Sequence, residues 1–168
     1  MIREFNGKSP KIASSAFVSE GAYIVGDVEI GENSSIWPGA VIRADFGKII
    51  VGNNTSIEDN SIVHSGADVI IGNNTIVGHG AIIHCHRVGS NVLVGNNATL
   101  LDDAEIGDFC IIGAGSVVAP KTKIAEQSVV TGVPARIKGQ PSQEQLVQLR
   151  LGPDIYAKLA QQYRQQGL

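Results

Sequence analysis

The chain has 168 residues and a mass of 17.6 kDa, enough for one domain with a substantial core and too little for a second independent one. Its formal net charge of −3 and pI near 5.8 leave no basic surplus to neutralise a phosphate backbone, so nucleic acid is not an expected partner. Hydrophobic residues make up 43% of the chain but aromatics only 5%, and there are 20 glycines, a composition suited to thin β layers filled by small branched aliphatics.

The N-terminal Met1-Ile2-Arg3-Glu4-Phe5 opens no apolar run of signal-peptide length, and no stretch approaches the roughly 18 apolar residues of a membrane span. The expectation is a cytoplasmic protein with no membrane partner. Aliphatic residues then recur every six positions, at Ile12, Val18, Ile24, Ile30, Ile36 and Ile42, at Val51, Ile57 and Val63, and at Ile71, Val77 and Ile83. A last unbroken run follows at Val88, Val94, Leu100, Ile106, Ile112, Val118, Ile124 and Val130. The phase slips three times, between 42 and 51, 63 and 71, and 83 and 88. Glycine directly follows the aliphatic at Gly31, Gly52, Gly72, Gly78, Gly89, Gly95, Gly107 and Gly113, where a chain that turns every few residues is expected to use its free φ.

Neither a helix nor an ordinary hairpin repeats with this period. A unit of one short strand and one turn cannot bury its aliphatic side chain alone, so successive units must wind into coils and stack those side chains. The periodicity suggests a parallel β-helix, which three units per coil would make a triangular prism. The repeat fades near Val133-Pro134-Ala135, which divides the chain into a β-helix over 1–140 and a helical segment over 141–168. In the tail, Ser142 and Gln145 fit a capping box, with Leu146, Leu149 and Leu151 on an apolar side. Gly152-Pro153 is expected to interrupt this helix. Asp154 would cap a second one through about Gln165, with Ile155, Leu159 and Tyr163 on its buried stripe. These helices are expected to lie against a prism face or a neighbouring subunit.

All four histidines, His64, His79, His84 and His86, fall between positions 64 and 86. The repeat gives each a direction. His64 follows Val63 and His84 follows Ile83, so both sit at the same place on the third face of adjacent coils, about 4.8 Å apart, pointing outward. Two imidazoles so placed can share a cation. His79 lies two positions after Val77, on the second face, and looks elsewhere, so one subunit cannot easily supply all three. In a threefold assembly the second face of one prism can meet the third face of its neighbour, and a homotrimer would make the site three times. Three neutral imidazoles with a fourth position left to water form the ligand set of a catalytic zinc site, which lowers the pKa of that water toward 7. Iron(II) or cobalt(II) also suits imidazole. Arg43, one coil below His64, and Asp59, one coil below His79, are placed to pair across such an interface. Cys85 and Cys110 are expected to be free thiols.

Trp37-Pro38-Gly39-Ala40-Val41-Ile42-Arg43-Ala44-Asp45, Ile57-Glu58-Asp59-Asn60 leading to Val63-His64, and Gly78-His79-Gly80-Ala81 leading to His84 together resemble the gamma-class carbonic anhydrases. The resemblance covers about Phe5 through Ala135 and implies a left-handed winding of the prism and reversible hydration of carbon dioxide to bicarbonate. It further implies His64 and His84 as metal ligands from one subunit and His79 from the next. Arg43 and Asp45 match the family's interface and active-site pair, and Asp59 its acidic residue ahead of the first histidine. Glu58 stands where well-studied members have glutamine. The loop Ser65-Gly66-Ala67-Asp68 is short and lacks the acidic insertion that shuttles protons in the archetypal enzyme, which implies slow turnover or shuttling by another group. His84-Cys85-His86 replaces the commoner histidine-glycine-cysteine; His86 reads as a turn residue, with proton shuttling as the alternative. Tyr156 resembles a tyrosine of the C-terminal helix and is expected to pack. Two rival readings are a hexapeptide-repeat acyltransferase, which needs one base and a thioester groove, and a metal-binding scaffold without turnover.

Overall fold

In a computed structural model that describes residues 1–168, the chain winds as a parallel β-solenoid of about seven turns, consistent with a left-handed β-helix, followed by a single helix. The six-residue period resolves into three vertical files of buried side chains. On the first face the file is Ile30, Val51, Ile71, Val88, Ile106 and Ile124. On the second it is Ile36, Ile57, Val77, Val94, Ile112 and Val130. On the third it is Ile24, Ile42, Val63, Ile83, Leu100 and Val118. All of these are buried, and each such side chain contributes about 1.5–3 kcal/mol relative to leaving it in water.

The three phase slips fall at one corner, between the third face and the first. Tyr23–Ile30 and Val41–Val51 turn that corner as continuous strands, which is why the first and third faces join in one sheet while the second remains separate. Extra residues at this corner swing outward, as at Phe46 and Gly66-Ala67-Asp68, so the files stay in register. The same corner carries Arg43, Asp45, His64 and His84.

The glycines serve a different purpose from the expected one. Gly31, Gly52, Gly72 and Gly89 have ordinary φ, and the left-handed turn positions are taken by Asn33, Asn54, Asn74 and Asn91 two residues later, residues whose short polar side chains tolerate that conformation. Close stacking of the coils demands the glycine. A Cβ on Gly52 would stand 2.7 Å from the carbonyl carbon of Gly72, and one on Gly72 would stand 2.6 Å from that of Gly89. Gly72→Ala is therefore expected to destabilise the fold by about 1–3 kcal/mol through overpacking. Gly66→Ala, with nothing within 4 Å, should be nearly neutral. Equal urea midpoints for the two variants would contradict this assignment.

At the C-terminal end of the stack Val129–Gly132 turns back antiparallel onto Ala135–Gly139, which covers the last open sheet edge on that face. The tail corrects the expectation of two helices. One helix, α1, runs unbroken over Gln143–Gln166, with the capping box of Ser142 and Gln145 at its start and Gly167 in the left-handed conformation at its end. Pro153 costs about 3 kcal/mol in a helix interior, but burial against the second face offsets it. Leu149, Pro153 and Ala160 are buried, with Tyr156 and Tyr163 partly so, on a stripe spaced four and three residues apart. Gly152 lets the helix approach Ile76, whose Cδ1 would lie 3.2 Å from an added Cβ. Asp154, expected as a cap, instead accepts a hydrogen bond from Asn54 Nδ2 at 2.8 Å. The expected stripe is only partly right: Tyr163 faces the prism and Leu159 lies at the margin of that face, 37% exposed, while Ile155 points outward, 66% exposed.

Trp37 anchors this packing. Its ring lies 5.3 Å from Phe17 and 5.2 Å from Tyr163 between centroids, and its Nε1–H donates to Ser35 Oγ at 3.0 Å and Ser56 Oγ at 2.9 Å.

Candidate functional site

On the third face Ile42 aligns with Val63 and Val63 with Ile83, so the residues that follow, Arg43, His64 and His84, form one outward file. The imidazole centroids of His64 and His84 are 5.4 Å apart. His64 Nε2 lies 3.0 Å from Asp45 Oδ1, and Asp45 is ion-paired with Arg43. Burial pushes the Asp45 carboxyl upward, but the hydrogen bonds from Arg43 and His64 overcome that and hold it below the usual carboxylate range. Arg43 thus turns to Asp45 within its own chain, whereas the spacing had placed it to meet Asp59 of a neighbour.

Two neighbours of this file were not singled out from the sequence. Asp102 Oδ1 lies 3.3 Å from His84 Nδ1, in the turn of the coil above and one position beyond Leu101, which the register sets over His84. Phe46, 74% exposed, sets its ring 5.9 Å from that of His64; an aromatic in the corner insertion was the available signal.

Around the corner, on the second face, Ile57 aligns with Val77, which brings Glu58 and Asp59 beneath Gly78 and His79. His79 is about half exposed, with Nδ1 3.0 Å from Asp59 Oδ2 and Nε2 3.1 Å from Glu58 Oε2. The Glu58 side chain is only 3% exposed, and its Oε1 has no hydrogen-bond partner. A cleft of about 170 Å³ opens here, walled by Trp37, Pro38, Tyr156, Leu159 and Tyr163.

Tyr156 packs edge-on to Trp37 with centroids 6.4 Å apart, as expected, and also stands beside Glu58. Burial, with that carboxylate next to it, pushes its phenol from the usual 10 up to about 12. The folded chain therefore favours the neutral phenol. The stability this contributes is complete below pH 10 and is lost as pH climbs from 10 through about 12. An ultraviolet titration is expected to show one late-ionising tyrosine, absent in Tyr156→Phe; ionisation of all tyrosines together near 10 would contradict it.

His86 is exposed, with Nδ1 3.1 Å from the carbonyl oxygen of Asp68, a contact that ties two turns together. Cys85 and Cys110 are buried and unpaired. Burial raises the Cys85 thiol to about 12, which keeps it protonated and unreactive at neutral pH.

Within one chain, no three histidine, cysteine or acidic side chains close on a common point. The donor chemistry nevertheless fits a divalent ion: two outward imidazoles in file on one face, and a third, held at Nδ1 by a carboxylate, on the adjoining face. A ligand set divided in this way closes only when a second face is brought alongside.

The Bacterial transferase hexapeptide (six repeats) family matches residues 9–44 and 86–120. The chain is 39% identical over 162 residues to gamma carbonic anhydrase 2, mitochondrial, of Arabidopsis thaliana, covering 92% of this chain and 58% of that protein. It is 39% identical to a carbonic anhydrase of Geobacillus kaustophilus over 98% of this chain and 91% of the relative. With a "Probable carbonic anhydrase" of Methanocaldococcus jannaschii the identity is 44%, over 89% of this chain and 96% of the relative. The crystal structure of a hexapeptide transferase family protein from Anaplasma phagocytophilum superposes with a TM-score of 0.94 at 35% identity, covering 96% of this chain and 97% of that one. No helix of the chain is long and apolar enough to cross a membrane.

Proposed function

The chain belongs to the gamma carbonic anhydrase family of hexapeptide-repeat proteins, and from that membership we propose that it is a metal-dependent enzyme that hydrates carbon dioxide reversibly to bicarbonate. The working unit is a homotrimer with three sites, each taking His64 and His84 from one subunit and His79 from the next. The observation that carries this reading is the 5.4 Å file of His64 and His84, with His79 on the adjoining face in a carboxylate-lined cleft.

A divalent ion held by three neutral imidazoles supplies Lewis acidity that brings the pKa of a water toward 7. Zinc, iron(II) and cobalt(II) all suit the imidazoles. The chain's own side chains orient the donors. Asp59 engages Nδ1 of His79, leaving Nε2 turned to the cleft, and Asp102 engages Nδ1 of His84. Asp45, fixed by Arg43, restrains the His64 ring. Phe46 and the aromatic wall of the cleft offer an apolar approach that suits an uncharged substrate and disfavours retention of an anionic product.

Stopped-flow hydration of carbon dioxide by protein loaded with zinc, and separately with iron(II) under anaerobic conditions, tests the proposal. Catalysis with either metal at about one ion per chain supports it, whereas inactivity with both favours the scaffold reading. Acyl transfer is a second reading, favoured by the transferase description of both the matched repeat family and the Anaplasma structure. Consumption of acetyl-CoA by metal-free protein would support that reading.

A further inference from the structure

We propose that the outward side of α1 is a self-association surface, on which α1 of a second copy of this chain packs antiparallel about a two-fold axis at Leu151. The inference goes beyond the carbonic anhydrase reading and needs neither metal nor turnover. A helix that buries Leu149, Pro153 and Ala160 against the prism turns the side half a revolution away to solvent. That side carries Val147, Leu151 and Ile155, which are 49%, 58% and 66% exposed. Single exposed aliphatics need no explanation, but three on successive turns of one helix form a continuous apolar row, and such a row marks an interaction site.

The ends of the row identify what covers it. Glu144 lies one turn before Val147, and Lys158 one turn after Ile155. The other charged side chains of α1 are engaged by the prism: Arg150 stacks on Phe109 at 5.4 Å, Asp154 accepts from Asn54, and Arg164 donates to the carbonyl oxygen of Ser14 at 3.1 Å. Glu144 and Lys158 are exposed and take part in no ion pair of the chain.

The series is symmetric about Leu151, with positions 147 and 155 four residues to either side and positions 144 and 158 seven. An antiparallel second copy therefore sets Leu151 against its own equivalent, Val147 against Ile155, and Glu144 against Lys158 at both ends. At a rise of 1.5 Å per residue the charges stand about 10 Å from the axis, and the seven-residue spacing of 144, 151 and 158 suits the shallow crossing of coiled-coil packing. A parallel copy would instead oppose like charges at both ends. The contact is isologous, the commonest type in homo-oligomers. It is also small beside the roughly 20–30 residues a side of a standard interface, so association should be weak and concentration-dependent.

Sedimentation equilibrium of the full chain over a concentration series tests the pairing. The wild type is expected to be heavier than Leu151→Glu, increasingly so with concentration, because that variant sets two carboxylates face to face on the axis. Glu144→Lys and Lys158→Glu should each weaken association at least about fivefold, and the double variant should return to within about twofold of the wild type. The double variant keeps the lysine that the single one places in the first turn of α1, so its recovery cannot come from a better helix. A wild type no heavier than Leu151→Glu at any concentration would overturn the proposal, as would single swaps that associate normally. Single swaps that dissociate without recovery in the double variant would also overturn it, and would mean that a different surface of a neighbour covers the row. None of these outcomes bears on the histidine site, which stands or falls by metal binding.

Discussion

His79→Ala is expected to strip the ion from every site and to lower carbon dioxide hydration by more than about 100-fold, since losing an outer partner of a metal ligand already costs 10–100-fold in affinity or activity. On the proposed shared site the effect would arise although His64 and His84 stay in place, 5.4 Å apart, because two imidazoles alone neither close a coordination sphere nor exclude water. His79 is about half exposed and the left-handed position of its turn falls on Gly80, so its removal should leave the fold intact. Elemental analysis and stopped-flow hydration check the two halves of the expectation. Full metal content in the variant would show that His79 is not a ligand.

The second large effect concerns stability. Trp37→Ala is expected to cost about 3–5 kcal/mol, the range for removing a buried large aromatic, and to lower the melting temperature by about 10 °C. Trp37 is buried between the second face and α1, against Phe17, Tyr163 and Tyr156. Its loss opens a cavity and leaves the hydroxyls of Ser35 and Ser56 without the indole N–H. The same helix walls the cleft at His79, so ordering of α1 and of the site should fail together. Thermal melting followed by far-ultraviolet circular dichroism measures the loss; a shift of a degree or two would mean that α1 is held elsewhere.

Much of the fold was legible because burial obeys the period. Each aliphatic in the six-residue series points inward, so the files on the three faces, and with them the stacking of His64 on His84 and of Asp59 beneath His79, follow from counting. Counting does not report what lies against a backbone atom. The glycines after the aliphatics were therefore read as turn residues, when at Gly31, Gly52, Gly72 and Gly89 the next coil's peptide forbids a Cβ and an asparagine two residues later makes the left-handed turn.

The tail failed for a related reason. Gly152-Pro153 breaks an isolated helix by propensity, but a helix whose Leu149, Pro153 and Ala160 are buried on a prism face is stabilised from outside the segment. At the site, charge partners one coil away were readable where the register was applied, as for Asp59, and missed at Asp102, one position beyond Leu101, which the register sets over His84. The burial of the Glu58 carboxylate had no counterpart in the pattern, which assigns the residue after each aliphatic only to the outward side of the coil.

The proposed division of the ligand set between subunits can be tested by mixing. His64→Ala and His79→Ala chains, each expected to hold no metal alone, are unfolded together in equal amounts, refolded, and assayed for bound ion and hydration. A site divided between neighbours is intact wherever one subunit keeps His64 and the next keeps His79, so about a quarter of the wild-type metal and activity should return. Recovery of nothing, from mixtures that do form trimers, would contradict the account, because ligands drawn from a single chain cannot complement one another.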